Sequence, residues 1–199
     1  MLIHLQENGK KTWTFHVIQL ICTNGFGEVW FQQGVGDAGE FLRCFRQRLV
    51  DQYIQGWATD IETKERFEFY SSFKRIFQSE KYIDYQQKKC FRDSYAQFRL
   101  GISPIHVHRM RYRKDVVRSQ LLCPVCKSEI EDESHVIFRC NAYERFRKEV
   151  NMIASTSTTQ DTFNALSRVM AADDEESVIQ LSRFLYRVFD VRNRAVSSE

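Results

Sequence analysis

Four side chains late in the chain restrict its folding more than any other feature: Cys123-Pro-Val-Cys126, then His135, then Cys140, the pattern C-x2-C-x8-H-x4-C. Two thiolates separated by two residues can grip one ion from a tight turn. A second pair on the returning segment completes the four tetrahedral ligands that zinc takes. Three thiolates, one neutral imidazole and Zn2+ leave no position for water, so the spacing predicts a structural zinc at Cys123, Cys126, His135 and Cys140 rather than a catalytic one. Such an ion supplies folding free energy to a segment too small to bury its own core, and its removal is expected to loosen residues 120–147 first. Helix geometry adds a demand. Residues five apart stand about 140° apart round an ideal α-helix, so His135 and Cys140 meet one ion only if the helix is distorted between them or starts near Cys140. The carboxylates Glu129, Glu131, Asp132 and Glu133, inside the loop between the pairs, are expected to be solvated and receive no ligand role.

The rest of the composition favours helices. The chain has 199 residues, 43% of them apolar, with 16 Phe, 8 Tyr and 3 Trp, which is enough to fill a core and excludes general disorder. Only 2 Pro and 8 Gly argue against collagen-like or turn-dense β architecture, and 28% charged residues suit packed amphipathic helices. The fold class expected is mainly α, a helical scaffold carrying a small structural zinc knuckle. The longest uncharged run, residues 12–27, is interrupted by His16, Gln19 and Asn24, whereas a membrane-spanning helix needs about 20 mostly apolar residues. No membrane partner is expected. Lys10 and Lys11 ahead of the apolar residues 13–22 resemble a signal peptide only loosely. Three of the six cysteines sit at metal-ligand spacing rather than scattered as a disulfide framework, which points to an intracellular protein, nuclear or cytoplasmic. A secreted alternative would pair Cys123, Cys126 and Cys140 in disulfides.

Four segments are distinguished along the chain. Residues 1–36 mix aromatics with five glycines and hold no sustained period, so they read as irregular. Residues 37–118 read as a helical, basic region, residues 119–150 as the knuckle with a following helix, and residues 151–199 as a Ser/Thr linker with C-terminal helices. Asp37, with Glu40 three residues on, has the form of a helix start. Phe41, Leu42, Phe45, Leu49, Tyr53 and Trp57 then recur at helical spacing, with the helix ending near Trp57. A second pattern runs through Phe67, Tyr70, Phe73 and Phe77, and a third through Phe91, Tyr95 and Phe98, with Gly101 where a left-handed stop is favoured. A helix is expected from residue 133 to 150, with Ile137, Tyr143, Phe146 and Val150 inward, and a loop over the Ser/Thr tract 155–159. Asp173 and Glu176 repeat the capping pattern ahead of Val178, Leu181, Leu185, Val188 and Arg192, a long closing helix.

Charge is concentrated. Net charge is only +3, but residues 81–122 hold ten Lys and Arg against Asp84, Asp93 and Asp115. Interleaved with Tyr82, Tyr85, Phe91, Tyr95, Phe98 and Tyr112, these cations combine phosphate neutralisation with faces for base stacking. The aromatics at helical spacing read as core. Arg109, Arg111, Arg113, Lys114 and Arg118, beside the metal module, read as candidate phosphate contacts to RNA or single-stranded DNA. His106 and His108 read as surface or packing residues, and Cys22, Cys44 and Cys90 as buried apolar side chains rather than nucleophiles.

Residues 24–147 resemble the C-terminal tail of proteins encoded by LINE-type (non-LTR) retrotransposons. The matching pieces are Gly25-Phe-Gly-Glu-Val-Trp30, Phe41-Leu42 with Phe45 and Arg48-Leu49, Trp57, Tyr70-x2-Phe-Lys74-x2-Phe77-x2-Glu80-Lys-Tyr-Ile83, Phe98-Arg99-Leu-Gly101, Arg118, the Cys/His cluster, and Tyr143-x3-Arg147. In that family the tail follows the reverse transcriptase domain and ends in a zinc knuckle of the same Cys, Cys, His, Cys order. The resemblance implies an accessory nucleic-acid-binding role in target-primed reverse transcription. It does not bring a polymerase. A palm needs metal-binding aspartates on a β-hairpin plus one from an earlier strand, and Ala171-Ala-Asp173-Asp174 is followed by a helix pattern, so it reads as a helix cap. A non-enzymatic chain is expected. The competing expectation is a zinc-locked helical protein-interaction module that binds no nucleic acid.

Overall fold

The computed structural model describes residues 13–85, 88–156 and 162–197. It is mainly helical and has no strand among the described residues, its single antiparallel bridge joining Leu122 to Ile130. The chain divides into two compact units, residues 1–59 and 60–199.

In the first unit, residues 13–36 are not irregular. They form α1 (Trp13–Thr23) and α2 (Gly27–Gln32). Trp13, Phe15, Val17, Ile18, Leu20 and Ile21 spread over an arc of about 220° of α1 and leave only a narrow polar strip of His16, Gln19 and Thr23, which blurs the period in the sequence. Gly25, at φ +83°, turns the chain between these two helices. Helix α3 (Ala38–Thr63) starts as expected: the Asp37 carboxylate accepts from the Glu40 N–H at 3.0 Å. It runs six residues past Trp57, where neither Pro nor a left-handed residue stops it and Lys64 pairs with Asp60 one turn back. The rings of Phe26, Phe41 and Phe45 cluster at centroid distances of 5.4–5.7 Å.

The second unit holds the core. A short 3-10 turn (Glu65–Phe67) leads to α4 (Glu68–Ser71), and the helix expected through Phe77 goes no further. The Ser71 and Ser72 hydroxyls donate back to the carbonyls of Glu68 and Phe69, offering the backbone a competing turn. Beyond it, Glu80 gathers the chain: it accepts from the Tyr70 hydroxyl at 2.8 Å and pairs with Lys74 at 3.3 Å and Arg99 at 3.2 Å. After α5 (Lys81–Asp84), α6 (Lys89–Arg99) buries Tyr95 and Phe98 completely. It closes as the sequence implies: Gly101 sits at φ +65°, its N–H donating to Phe98 O and that of Ile102 to Gln97 O, the paired bonds of a Schellman stop. A Cβ on Gly101 would stand 2.9 Å from the Arg111 guanidinium.

Helix α7 (His106–Arg109) and a 3-10 turn (Arg118–Gln120) lead into the Cys/His loop. The helix expected over 133–150 is broken into a π-turn (His135–Arg139), a 3-10 turn (Asn141–Tyr143) and α8 (Glu144–Arg147). Ile137, Tyr143 and Val150 are nevertheless buried and Phe146 half-buried. The first residues of the Ser/Thr tract belong to α9 (Asn151–Thr156) rather than a loop, and 157–159 lie outside the described residues. Helix α10 (Thr162–Met170) and α11 (Glu175–Ser197) follow. The α11 cap is Asp174, which accepts from the Ser177 N–H at 2.8 Å and is held below the usual carboxylate range by it. Asp173 instead pairs with Lys81.

Helix α11 carries Val178, Leu181, Leu185 and Val188 on one buried stripe and packs along α6, with Phe91 edge-on to Tyr186 and Phe98 beside Phe189. The next position on that stripe is Arg192, 1% exposed. Its guanidinium makes two bonds to the fully buried Glu131 carboxylate, Nε at 2.7 Å and the second nitrogen at 3.0 Å. Removing one partner of such a pair leaves a bare charge in a low-dielectric core. Arg192→Met is therefore expected to lower stability by about 3–5 kcal/mol in urea unfolding, and Glu131→Leu with Arg192→Met to recover part of that loss.

Candidate metal centre

Backbone bonds bring the four ligands together. Leu121 O accepts from Glu131 N at 2.8 Å and Glu129 O from Cys123 N at 2.8 Å, so two short extended segments run side by side either side of the tip. At the tip, Lys127 adopts φ +56° and its N–H donates to Cys123 O at 2.8 Å, which closes the turn carrying Cys123 and Cys126. On the return, the Asp132 carboxylate caps the next turn by accepting from the His135 N–H at 2.7 Å. That turn is a π-turn, with Cys140 N donating to His135 O at 2.8 Å, five residues back. The wider turn resolves the angular conflict between His135 and Cys140. The expected distortion is present.

The ligand atoms of Cys123, Cys126, His135 and Cys140 all lie within 4.8 Å of one another. Among the described residues this is the one such group, and all but Cys126 are buried. That spacing is of the size of the roughly 3.8 Å edge of a tetrahedron with metal–sulfur bonds of about 2.3 Å. His135 presents Nε2 to the cluster, 3.3 Å from Cys126 Sγ. These residues can hold a metal ion.

Proton affinities in the cluster reflect thiols and an imidazole packed within hydrogen-bonding reach of one another. The hydrogen bond with Cys140, aided by those with His135 and the N–H groups of Cys126 and Val125, pulls the Cys123 thiol down to about 3 against its burial. The same hydrogen bond, with burial, pushes Cys140 above the ordinary thiol range. Burial opposes charge on His135, but Cys123 and Glu129 outweigh it and raise the imidazole to about 9. A cation at the centre would displace the protons from Cys140 and His135.

Glu131 is buried and Asp132 and Glu133 are half-buried, which corrects the expected solvation, whereas Glu129 is exposed but paired. Glu129 accepts from His135 Nδ1 at 3.2 Å and from Arg139 Nε at 2.8 Å, fixing the imidazole ring with Nε2 toward the cluster. Asp132 bonds Arg139 at 3.2 Å besides its capping role. Glu131 holds Arg192 and accepts from the His106 N–H at 2.7 Å. Glu133 bonds His108 Nε2 at 2.8 Å, while Ser103 meets His108 Nδ1 at 2.7 Å, so His108 is a buried packing residue. Arg147 donates to the carbonyls of Ile137 and Cys140, satisfying groups the π-turn leaves open. Glu131 and Glu133 find their partners from across the fold, in Arg192 and His108, whereas Glu129 and Asp132 pair within ten residues, with His135 and Arg139.

The five basic candidates have different surroundings. Arg111 donates to Arg66 O at 3.1 Å, Arg113 makes a two-bond pair with Asp115, and Arg118 lies 3.6 Å from Asp132. Arg109 and Lys114 are exposed with no ion pair among the described residues. Arg111, Arg113 and Arg118 share an open cleft of about 600 Å3 with Glu65, Glu68, Asp132 and Glu133, so its walls carry one more carboxylate than guanidinium. Cys22 and Cys90 are exposed and Cys44 half-buried, which corrects their expected burial, and all six thiols are free. No helix among the described residues is long and apolar enough to cross a membrane.

Comparison with protein-family models, with curated proteins and with solved structures gives no match. Glu129→Gln, which keeps the shape but weakens the bond to His135, is expected to reduce metal affinity by about 10–100-fold in chelator competition, with the metal-saturated fold unchanged.

Proposed function

We propose that the cluster holds zinc in a structural role and that the chain is a non-catalytic, nucleic-acid-binding tail of the kind that closes LINE-type reverse transcriptase proteins. The observation that carries this reading is the convergence of Cys123, Cys126, His135 and Cys140 in that order on one point. Three soft thiolates and an imidazole favour zinc over magnesium or calcium, and a donor set complete in four leaves no open position for chemistry.

The looser pieces of the resemblance support the reading by what they do together. Tyr70, Lys74 and Arg99 meet at Glu80, Gly101 stops α6, and Arg147 braces the π-turn. Residues scattered over the motif thus serve one scaffold. Phosphate contact falls first to Arg109 and Lys114, whose charges are not answered by a carboxylate, and secondarily to the exposed Arg113 and Arg118. RNA or single-stranded DNA is the ligand proposed.

One observation favours the second reading, a zinc-locked protein-interaction module. The cleft that holds three of the five basic residues has an apolar floor including Phe69, Met110 and Leu166 and a slight excess of acid, which suits a mixed-charge peptide better than a phosphate chain.

Elemental analysis of the purified chain is expected to return one zinc per molecule. Fluorescence anisotropy with single-stranded RNA and DNA at two salt concentrations is expected to show affinity that falls as salt rises. Arg109→Gln with Lys114→Gln should weaken binding uniformly across sequences and reduce the salt slope by about 1–2. Affinity indifferent to salt and to this double variant, with a zinc-dependent fold, would favour the interaction module instead.

A further inference from the structure

The four ligand side chains of the Cys/His cluster differ in their access to solvent. Cys123 and Cys140 are 0% exposed and His135 1%, whereas Cys126 is half-buried. The Ser128 hydroxyl, itself on the exposed surface, donates to Cys126 Sγ at 3.2 Å, so this sulfur lies at the rim of the cluster. A peroxide oxidises a thiolate only by meeting its sulfur directly, so susceptibility follows exposure as well as thiolate character. Three thiolate ligands share that character, and Cys126 alone of the three is open to water.

Cys126 also has a second sulfur at hand. It shares a turn with Cys123, closed by the Lys127 N–H on Cys123 O at 2.8 Å, and the two sulfurs lie within 4.8 Å of each other. Two residues between cysteines is also the spacing of dithiol pairs that cycle through a disulfide in oxidoreductases. Cys140 comes instead from the return segment, where Arg147 holds its carbonyl at 2.9 Å. A disulfide from Cys126 to Cys123 closes inside one turn, whereas one to Cys140 pulls against that brace.

We propose, on the basis of the zinc reading above, that Cys126 is a site of reversible oxidation by hydrogen peroxide, which closes a Cys123–Cys126 disulfide and releases the metal. The Cys126 thiolate attacks one peroxide oxygen, the O–O bond breaks, and hydroxide leaves as Cys126 becomes a sulfenic acid. The Cys123 thiolate then attacks the Cys126 sulfur, the S–O bond breaks, and a second hydroxide leaves. Two thiolates have given two electrons to the peroxide oxygens, and both hydroxides take protons from solvent. Cys140 and His135 are then half of a set that zinc needs in full, so the ion is lost. A thiol reductant reopens the disulfide and restores the set.

Hydrogen peroxide added stepwise to the zinc-loaded 199-residue chain, with a chromogenic chelator reporting free zinc, tests this. Zinc is expected to appear in step with one disulfide, found after trypsin inside the 119–127 peptide as the loss of two hydrogens. Cys140, in the separate 140–145 peptide, should stay open to alkylation. Dimedone should trap sulfenic acid on Cys126 and on neither Cys123 nor Cys140. A thiol reductant with added zinc should restore the full metal content. Zinc that leaves without the Cys123–Cys126 disulfide overturns the proposal, and a dimedone adduct on Cys123 or Cys140 overturns Cys126 as the point of entry. A zinc-loaded chain that keeps its metal while its other thiols oxidise sinks this proposal alone, whereas a chain that takes up no zinc sinks the zinc reading and this proposal with it.

Discussion

A carboxylate with no access to water organises the second unit. Glu131 lies between the ligand pairs of the Cys/His loop, and its two oxygens take Arg192 from the closing helix and the His106 N–H from the basic segment. Its own N–H binds Leu121 O, one rung of the loop that carries Cys123. Three regions distant in sequence are thereby tied to one side chain. An ion pair so deeply buried contributes little net stability against apolar residues of equal size, but it tolerates only one arrangement, because any slip leaves a bare charge. The loop's position against α11 is thus set by electrostatic exclusion as much as by the apolar stripe beside it.

This arrangement also holds the Cys/His cluster in place. Asp132, Glu129 and Arg147 each fix a different part of the return segment: its start, the imidazole ring, and the carbonyls at its end. Sulfur atoms held close share their protons unequally, one thiol lowered and another raised. Scaffold and ligand set are parts of one device.

The parts of this fold legible in sequence were those decided within a few residues. The ligand spacing, the Asp37 cap, the Gly101 stop and the apolar stripe of α11 are local, and the structure shows each where its residues imply. The stripe even included Arg192, a charged residue at an inward position whose partner lies 61 residues away. What could not be read were partners. Glu131 and Glu133 look solvated until the fold supplies Arg192 and His108 to meet them. Aromatic spacing misled for a different reason: rings three or four apart also pack in turns, as Tyr70 and Phe73 do at 5.5 Å, so the period survives where the helix does not. In α1 the reverse held, since an apolar arc wider than half the helix blurs its own signature.

Gly101 does two things with one missing atom. Its left-handed backbone ends α6, and the space where a side chain would begin is taken by the Arg111 guanidinium, which donates to Arg66 O. Helix termination and arginine placement therefore share a single vacancy no larger than a methyl group. Residue 101, far from any ligand and itself uncharged, consequently governs where a positive charge ten positions later resides on the molecular surface.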